Sequence, residues 1–214
     1  MNALLALPLL FLAADKEPAW SLANEDEGIK IYRRQKEGEN VAQMKAMGLM
    51  DASPQEVWRS IRDYPNYPKT MPYTEDSKIL ASENDGKTLW FYSVVNAPLV
   101  SKRDYVIKVT DESDWKDGAG YLKVVWTGWN EKEKNVPERD GYVRVKINDG
   151  YWLLEPREGG KKTFATYYVY TDPGGSIPKF IANKANSTAV PNVFSAIRKT
   201  VAAERAKAAA APKK

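Results

Sequence analysis

Residues 171–199 read TDPGGSIPKFIANKANSTAVPNVFSAIRK, and the fold turns on whether this stretch is one long helix. Asp172, Pro173, Gly174 and Gly175 spell a turn, because proline fixes one backbone angle and glycine tolerates the positive φ of tight turns. Ser176 then serves as an N-cap, with Ile177 or Pro178 at the first helical position, where a missing N–H costs nothing. Pro191 falls inside the helix, where proline removes a hydrogen bond and crowds the preceding turn at a cost of about 3 kcal/mol. On a helical wheel Ile177, Phe180, Ile181 and Thr188 cluster in one direction. Val190, Val193, Phe194, Ile197 and Val201 form a stripe displaced well away from it. The pattern predicts a helix whose apolar face changes phase just before Pro191, jointed there so that its halves cover two surfaces.

Upstream of this helix the chain is mainly strand. Residues 28–35 alternate Ile29 and Ile31 with Lys30 and Tyr32, and residues 42–51 follow after a short turn, which reads as a hairpin. Ser53-Pro54-Gln55-Glu56 is a helix start with a capping box, and that helix is expected to end near Asp63. Residues 64–73 hold Pro65, Pro68 and Pro72 and read as an ordered connector. Strands are then expected at residues 77–83, 87–96, 104–111, 120–129, 141–147, 151–156 and 163–171, with Asn84-Asp85-Gly86, Asn148-Asp149-Gly150 and Glu158-Gly159-Gly160 among the turns between them. This order predicts an α+β domain in which the last helix packs across a strongly curved antiparallel sheet.

A chain of 214 residues fits one domain, and no repeat is visible. Residues 3–14 form an apolar run closed by Asp15, Lys16 and Glu17. The run is too short to span a bilayer and suits a secretory signal over residues 1–14, the alternative being an apolar first helix packed on the domain. A signal implies a secreted or periplasmic protein; without one it is cytoplasmic. The domain is then residues 15–203, followed by an Ala/Lys-rich disordered tail, residues 204–214.

With no Cys and no His, disulfides, Cys–His and Ser–His–Asp nucleophiles and the usual zinc ligands are all excluded. Any enzyme on this chain has to use carboxylates, Lys or Tyr. The net charge of +4 comes from cations interleaved with acids rather than from a basic face, which argues against nucleic acid. Nothing calls for a cofactor or a metal.

Seven Trp and twelve Tyr sit largely in the strands. Aromatics favour strands in any case, but they also line ligand cavities. Strand alternation puts Arg103 on one face with Tyr105, Ile107 and Val109, and Asp104 on the other with Val106 and Lys108. A buried cation must be paired or hydrogen-bonded, so Arg103 either ends a strand in water or enters an interior cavity.

Here the sequence resembles the steroidogenic acute regulatory protein-related lipid transfer (START) domain, within the helix-grip superfamily. The marks are Asp63-Tyr64-Pro65-Asn66-Tyr67 with Met71-Pro72-Tyr73, Asn96-Ala97-Pro98 leading to Arg103-Asp104-Tyr105-Val106, residues 151–156 (YWLLEP), residues 172–178 (DPGGSIP), and Ala189-Val190-Pro191. The resemblance implies a sheet gripping the C-terminal helix around a lipid-sized tunnel. In it Arg103 is the buried cation, residues 96–101 border the mouth, and the helix acts as a lid. The ligand-facing residues are then expected to be Phe91, Arg103, Tyr105, Ile107, Trp126, Phe180, Asn183, Val190 and Phe194. The gate is expected at Asn96, Pro98, Leu99, Gly174, Gly175 and Pro191. One departure is the absence of an acid in residues 89–95 (LWFYSVV), which leaves Arg103 free for an anionic head group.

The function this reading favours is non-enzymatic binding and transfer of one lipid or other apolar molecule, by a monomer in transient contact with a membrane. The alternatives are a polyketide aromatase/cyclase of the same superfamily, with Tyr, Arg and Asp as acid and base, and a ligand-sensing adaptor for a protein partner.

Overall fold

The computed structural model describes residues 18–98 and 100–210, so the expected signal over residues 1–14 lies outside the described residues. The strands are β1 (Ser21–Asp26), β2 (Ile29–Arg34), β3 (Gln43–Met50), β4 (Thr74–Glu83), β5 (Thr88–Val95), β6 (Lys102–Asp111), β7 (Asp114–Lys116), β8 (Ala119–Gly128), β9 (Tyr142–Arg144), β10 (Ile147–Arg157) and β11 (Lys162–Asp172). The helices are α1 (Pro54–Arg62), the single turn α2 (Tyr67–Thr70) and α3 (Lys179–Ala210). The main path of the sheet runs β1-β2-β3-β11-β10-β8-β6-β5-β4, with antiparallel neighbours throughout. β7 joins β8 and the short β9 lies parallel to β6.

This is the expected α+β helix-grip architecture, one antiparallel sheet with a long C-terminal helix across its inner face. Met44, Ala46 and Met50 of β3, Trp152 and Leu154 of β10 and Ala165 of β11 meet Val190, Phe194, Ile197 and Val201 of α3 in the main core. Trp152 stands 4.5 Å from Tyr167 and 5.6 Å from Phe194, centroid to centroid. α1 begins as its sequence demands. Ser53 accepts from the Glu56 amide at 3.4 Å, and the Glu56 carboxylate accepts from the Ser53 amide at 2.8 Å.

Four local expectations change. Residues 21–26, which precede the first strand expected from the sequence, form the edge strand β1; every residue is exposed, so it carries no burial pattern. Asn148-Asp149-Gly150 is no turn but the interior of β10, where the Asp149 carboxylate accepts from the Gly128 amide and the Thr127 hydroxyl of β8. Ser176 does not cap α3: the helix starts at Lys179, with the Pro178 carbonyl accepting from the Ile181 and Ala182 amides. The segment expected to be a disordered tail is helical to Ala210. Ala is the best helix former, and Glu204 is anchored by Ser60 at 3.1 Å while Arg205 bonds the Asp51 carbonyl and reaches Glu56.

The outer face of the sheet carries a second, smaller core. Trp90, Tyr92, Val94 and Val106 are covered there by Trp129, Val136 and Tyr142. Asp104 lies on this face, fully buried. Arg144 holds its two carboxylate oxygens at 2.7 and 3.0 Å, and Tyr92 adds a hydroxyl at 3.2 Å. A desolvated pair of this kind stands only because its geometry is bidentate and hydrogen-bonded.

Candidate functional site: a cavity beneath the C-terminal helix

A cavity of about 230 Å³ lies between the inner face of the sheet and α3. β5, β6 and β8 contribute Phe91, Tyr105, Ile107, Val109, Val124 and Trp126; β10 and β11 contribute Asn148, Trp152, Tyr167, Val169 and Thr171. The connector after α1 closes one side with Tyr64, Tyr67, Met71, Pro72 and Tyr73, and α3 covers it with Asn186, Ala189, Val190 and Val193. Among the described residues, none on the lining is Asp, Glu, Lys or Arg.

The lining is apolar with polar points. Burial raises the Tyr64, Tyr67, Tyr105 and Tyr167 hydroxyls above their ordinary pKa, so all four stay neutral phenols. Tyr67 donates to the Ile61 carbonyl at 2.6 Å, which fixes the connector over the end of α1. Asn148 accepts from Trp126 Nε1 at 3.2 Å and from the Thr171 hydroxyl at 3.1 Å, and Asn186 donates to the Thr171 carbonyl at 3.0 Å. These three residues form one polar seam where β10, β11 and α3 meet.

Of the side chains expected to face a ligand, Phe91, Tyr105, Ile107, Trp126 and Val190 line the cavity. Four do not. Arg103 is buried but lies off the lining: as the second residue of β6 it is held back by the Ser101 carbonyl just outside the strand. Among the described residues no carboxylate pairs with Arg103, and burial lowers its pKa. Asn183 turns to the start of β3 and accepts from the Ala42 amide at 2.8 Å. Phe194 is wholly enclosed in the core against Trp152. Phe180 is 72% exposed. At 100° per residue it stands about 160° around the helix from buried Ala182, so it points away from the sheet.

The same geometry removes the expected phase change at Pro191. α3 buries one continuous side, through Ala182 in its first half and Val190, Phe194, Ile197 and Val201 after it. The apolar cluster of Phe180, Ile181 and Thr188 is its exposed side.

At the expected gate, Gly174 and Gly175 have φ of 63° and 72° and lie against Val143 of β9, so the turn into α3 does need glycine. Asn96 donates its amide N–H to the Tyr73 carbonyl at 2.8 Å and its side chain to Glu75 at 3.0 Å, joining the mouth loop to the connector. Pro98 is exposed; Leu99 lies outside the described residues. Pro191 is half-buried in an unbroken helix.

Sequence reasoning missed the seam of Asn148, Thr171 and Asn186 and the tyrosines of the connector. Asn148 was hidden by its turn-like neighbours. Asn186 carried a usable signal, since it falls on the same side of α3 as Ala182, Ala189, Val190 and Val193.

A sheet closed by one long helix over an apolar, uncharged cavity defines a helix-grip binding domain. The sequence profile described as START domain matches residues 6–207, and the chain belongs to that family. It is 32% identical over 182 residues to an uncharacterised protein of Pseudomonas aeruginosa, covering 84% of this chain and 85% of that one. It is 27% identical over 177 residues to the phosphatidylcholine transfer protein of Bos taurus, covering 81% and 80%. Among solved structures it resembles a STAR-related lipid transfer protein fragment from Xanthomonas axonopodis at 30% identity and a TM-score of 0.73, covering 85% of this chain and 98% of that one.

Proposed function

We propose that this protein takes a single lipid, or an apolar molecule of similar kind, into the cavity beneath α3 and carries it between membranes without a chemical step. The observation that carries this reading is a cavity walled by aliphatic and aromatic side chains with, among the described residues, no charged residue on its lining. Burial of each ligand CH₂ there contributes about 0.8 kcal/mol relative to water, which offsets the same loss when the acyl chain leaves the bilayer. Kinship with lipid transfer proteins supports the same reading.

Ligand pockets usually enclose about 300–1,000 Å³, so a cavity of about 230 Å³ has to enlarge when it loads. The N-terminal half of α3 is the element to move. It buries few side chains, whereas the half after Pro191 is locked into the core. Exposed Phe180 and Ile181, beside Lys179 and Lys184, make that half the surface that meets the membrane.

A cyclase would need acid and base groups around the cavity. Asp104 is engaged by Arg144 on the opposite face of the sheet, and burial holds Tyr64, Tyr67, Tyr105 and Tyr167 as neutral phenols that cannot act as bases, which favours binding over catalysis. The test is organic extraction of the purified protein with mass spectrometry, together with vesicle-to-vesicle transfer. A stoichiometric apolar ligand and protein-dependent transfer are expected; absence of both overturns the reading.

A further inference from the structure

The polar seam of the cavity has a defined hydrogen-bonding polarity. Trp126 Nε1 can only donate, so the Asn148 group 3.2 Å from it is the amide oxygen, which also receives the Thr171 hydroxyl. Its Nδ2 is therefore turned away from both. The Thr171 carbonyl can only accept, so the Asn186 group 3.0 Å from it is Nδ2, leaving Oδ1 turned away. Asn148 and Asn186 both line the cavity. Among the described residues neither Asn148 Nδ2 nor Asn186 Oδ1 has a protein partner. Two amides hinged on one residue thus present a spare donor and a spare acceptor on the cavity lining.

A charged ligand group would meet no counter-charge on the lining, and burying it there is heavily disfavoured. An ether or ester could use the donor but leave the acceptor unpaired. A hydroxyl uses both, since it accepts through its oxygen and donates through its hydrogen.

We infer that the cavity selects a lipid by an uncharged hydroxyl group seated between Asn148 of the sheet and Asn186 of α3. This rests on the lipid-binding reading above and narrows it to alcohols over ethers and over carboxylate or phosphate lipids. Because Asn148 belongs to the sheet and Asn186 to the helix, the hydroxyl also bridges the two surfaces that must separate for exchange. A hydroxylated ligand therefore holds the cavity shut once loaded, and a ligand without the hydroxyl leaves faster.

The experiment measures uptake by the full chain from phosphatidylcholine vesicles carrying 1-hexadecanol, methyl hexadecyl ether or hexadecanoate at equal mole fraction, quantified by mass spectrometry. Uptake of the alcohol is expected to exceed that of the ether and of the carboxylate by about tenfold, the scale of one unsatisfied buried hydrogen-bonding group. Asn148→Leu and Asn186→Leu should each abolish the preference for alcohol over ether. Residual uptake of the ether separates loss of recognition from loss of fold. Equal uptake of alcohol and ether by the unmodified chain overturns the hydroxyl site and leaves lipid binding standing, as does preference for hexadecanoate. Failure to take up any of the three overturns the lipid-binding reading and this inference with it.

Discussion

Asn183 of α3 accepts a hydrogen bond from the Ala42 amide at 2.8 Å, tying the first half of the helix to the start of β3 from outside the cavity lining. The bond leaves ligand contacts untouched but must break if that half swings away. A neutral hydrogen bond contributes about 1 kcal/mol, so Asn183→Ala should accelerate lipid exchange by about fivefold. The melting temperature should change little, since Val190, Phe194, Ile197 and Val201 still hold the second half. Fluorescent-lipid transfer between vesicles measures the rate, and an unchanged rate would place the opening motion elsewhere.

Pro191 lies where the helix is weakest. Its missing N–H leaves the Ser187 carbonyl without the usual partner. Ser187 and Thr188 also bond back to the Asn183 and Lys184 carbonyls at 2.8 and 3.1 Å, a habit that loosens and bends helices. The weakness of the helix at this point follows from backbone bonding, not from the change of apolar face that the sequence suggests. Pro191→Ala restores a hydrogen bond worth part of the roughly 3 kcal/mol that proline costs an interior turn. It should slow exchange severalfold while raising the melting temperature. Faster exchange, or a lower melting temperature, would show that the proline stabilises the closed form.

Gly150 is the residue whose reading went furthest astray, and it decides where Trp126 lies. A Cβ at this position would come within 2.3 Å of the Trp126 ring and 2.4 Å of the Tyr168 carbonyl. The glycine lets the indole lie across β10 and reach Asn148. Gly150→Ala should expel Trp126 from the cavity wall, break the Trp126–Asn148 bond and lower stability by about 1–3 kcal/mol, the usual cost of overpacking. Urea denaturation measures the loss. A variant of unchanged stability would mean that the two strands can part to accept the methyl group.

The pattern of what was legible follows from the physics of each signal. The α1 capping box, the hairpin leading into it and the C-terminal helix are short-range features in which composition and structure agree. β5 was recognisable because LWFYSVV is buried nearly throughout, one face against the cavity and the other against the outer core. Asn-Asp-Gly failed as a turn because a glycine in a strand can instead mark a close approach. The helix was misjudged in its orientation. Its cavity side is built from Asn186 and Ala189, while Phe180 and Ile181 face outward, so a wheel that takes apolar residues as buried inverts its first half. Arg103, expected either in water or in the cavity, is buried outside the cavity lining, because alternation gives the face of a strand and not the reach of a side chain near its end.

Glu56 links stability to acid pH. The Ser53 hydroxyl and amide hydrogen bonds lower its pKa, with Arg205 and Arg59 adding to the effect. A carboxylate depressed in the folded state stabilises above its unfolded pKa, and that contribution disappears as pH falls through the folded value. Glu56→Gln should therefore cost about 1 kcal/mol at neutral pH, the scale of a helix cap, and the difference from the unmodified chain should vanish on acidification below the carboxylate range. Thermal melts across pH 3 to 7, about the carboxylate titration range and above, provide the comparison. A constant difference would mean that the glutamate acts through its shape rather than its charge.

Phe180 is the most exposed large apolar side chain among the described residues. It is 72% exposed and Ile181 38%, on the half of α3 that covers the cavity. Lys184 follows Phe180 by four residues, which places the cation and the ring on the same side of the helix. An exposed ring beside a cation suits an anionic bilayer surface, where the ring enters the acyl boundary and the ammonium stays among phosphates. Full burial of a Phe side chain contributes about 1.5–3 kcal/mol. Phe180→Ser should then weaken binding to anionic vesicles by about tenfold or more, with the fold intact because the side chain touches no core. Vesicle co-sedimentation measures the affinity. If Phe180→Ser binds vesicles as the unmodified chain does, the membrane meets a different surface and the exposed side of α3 has another use.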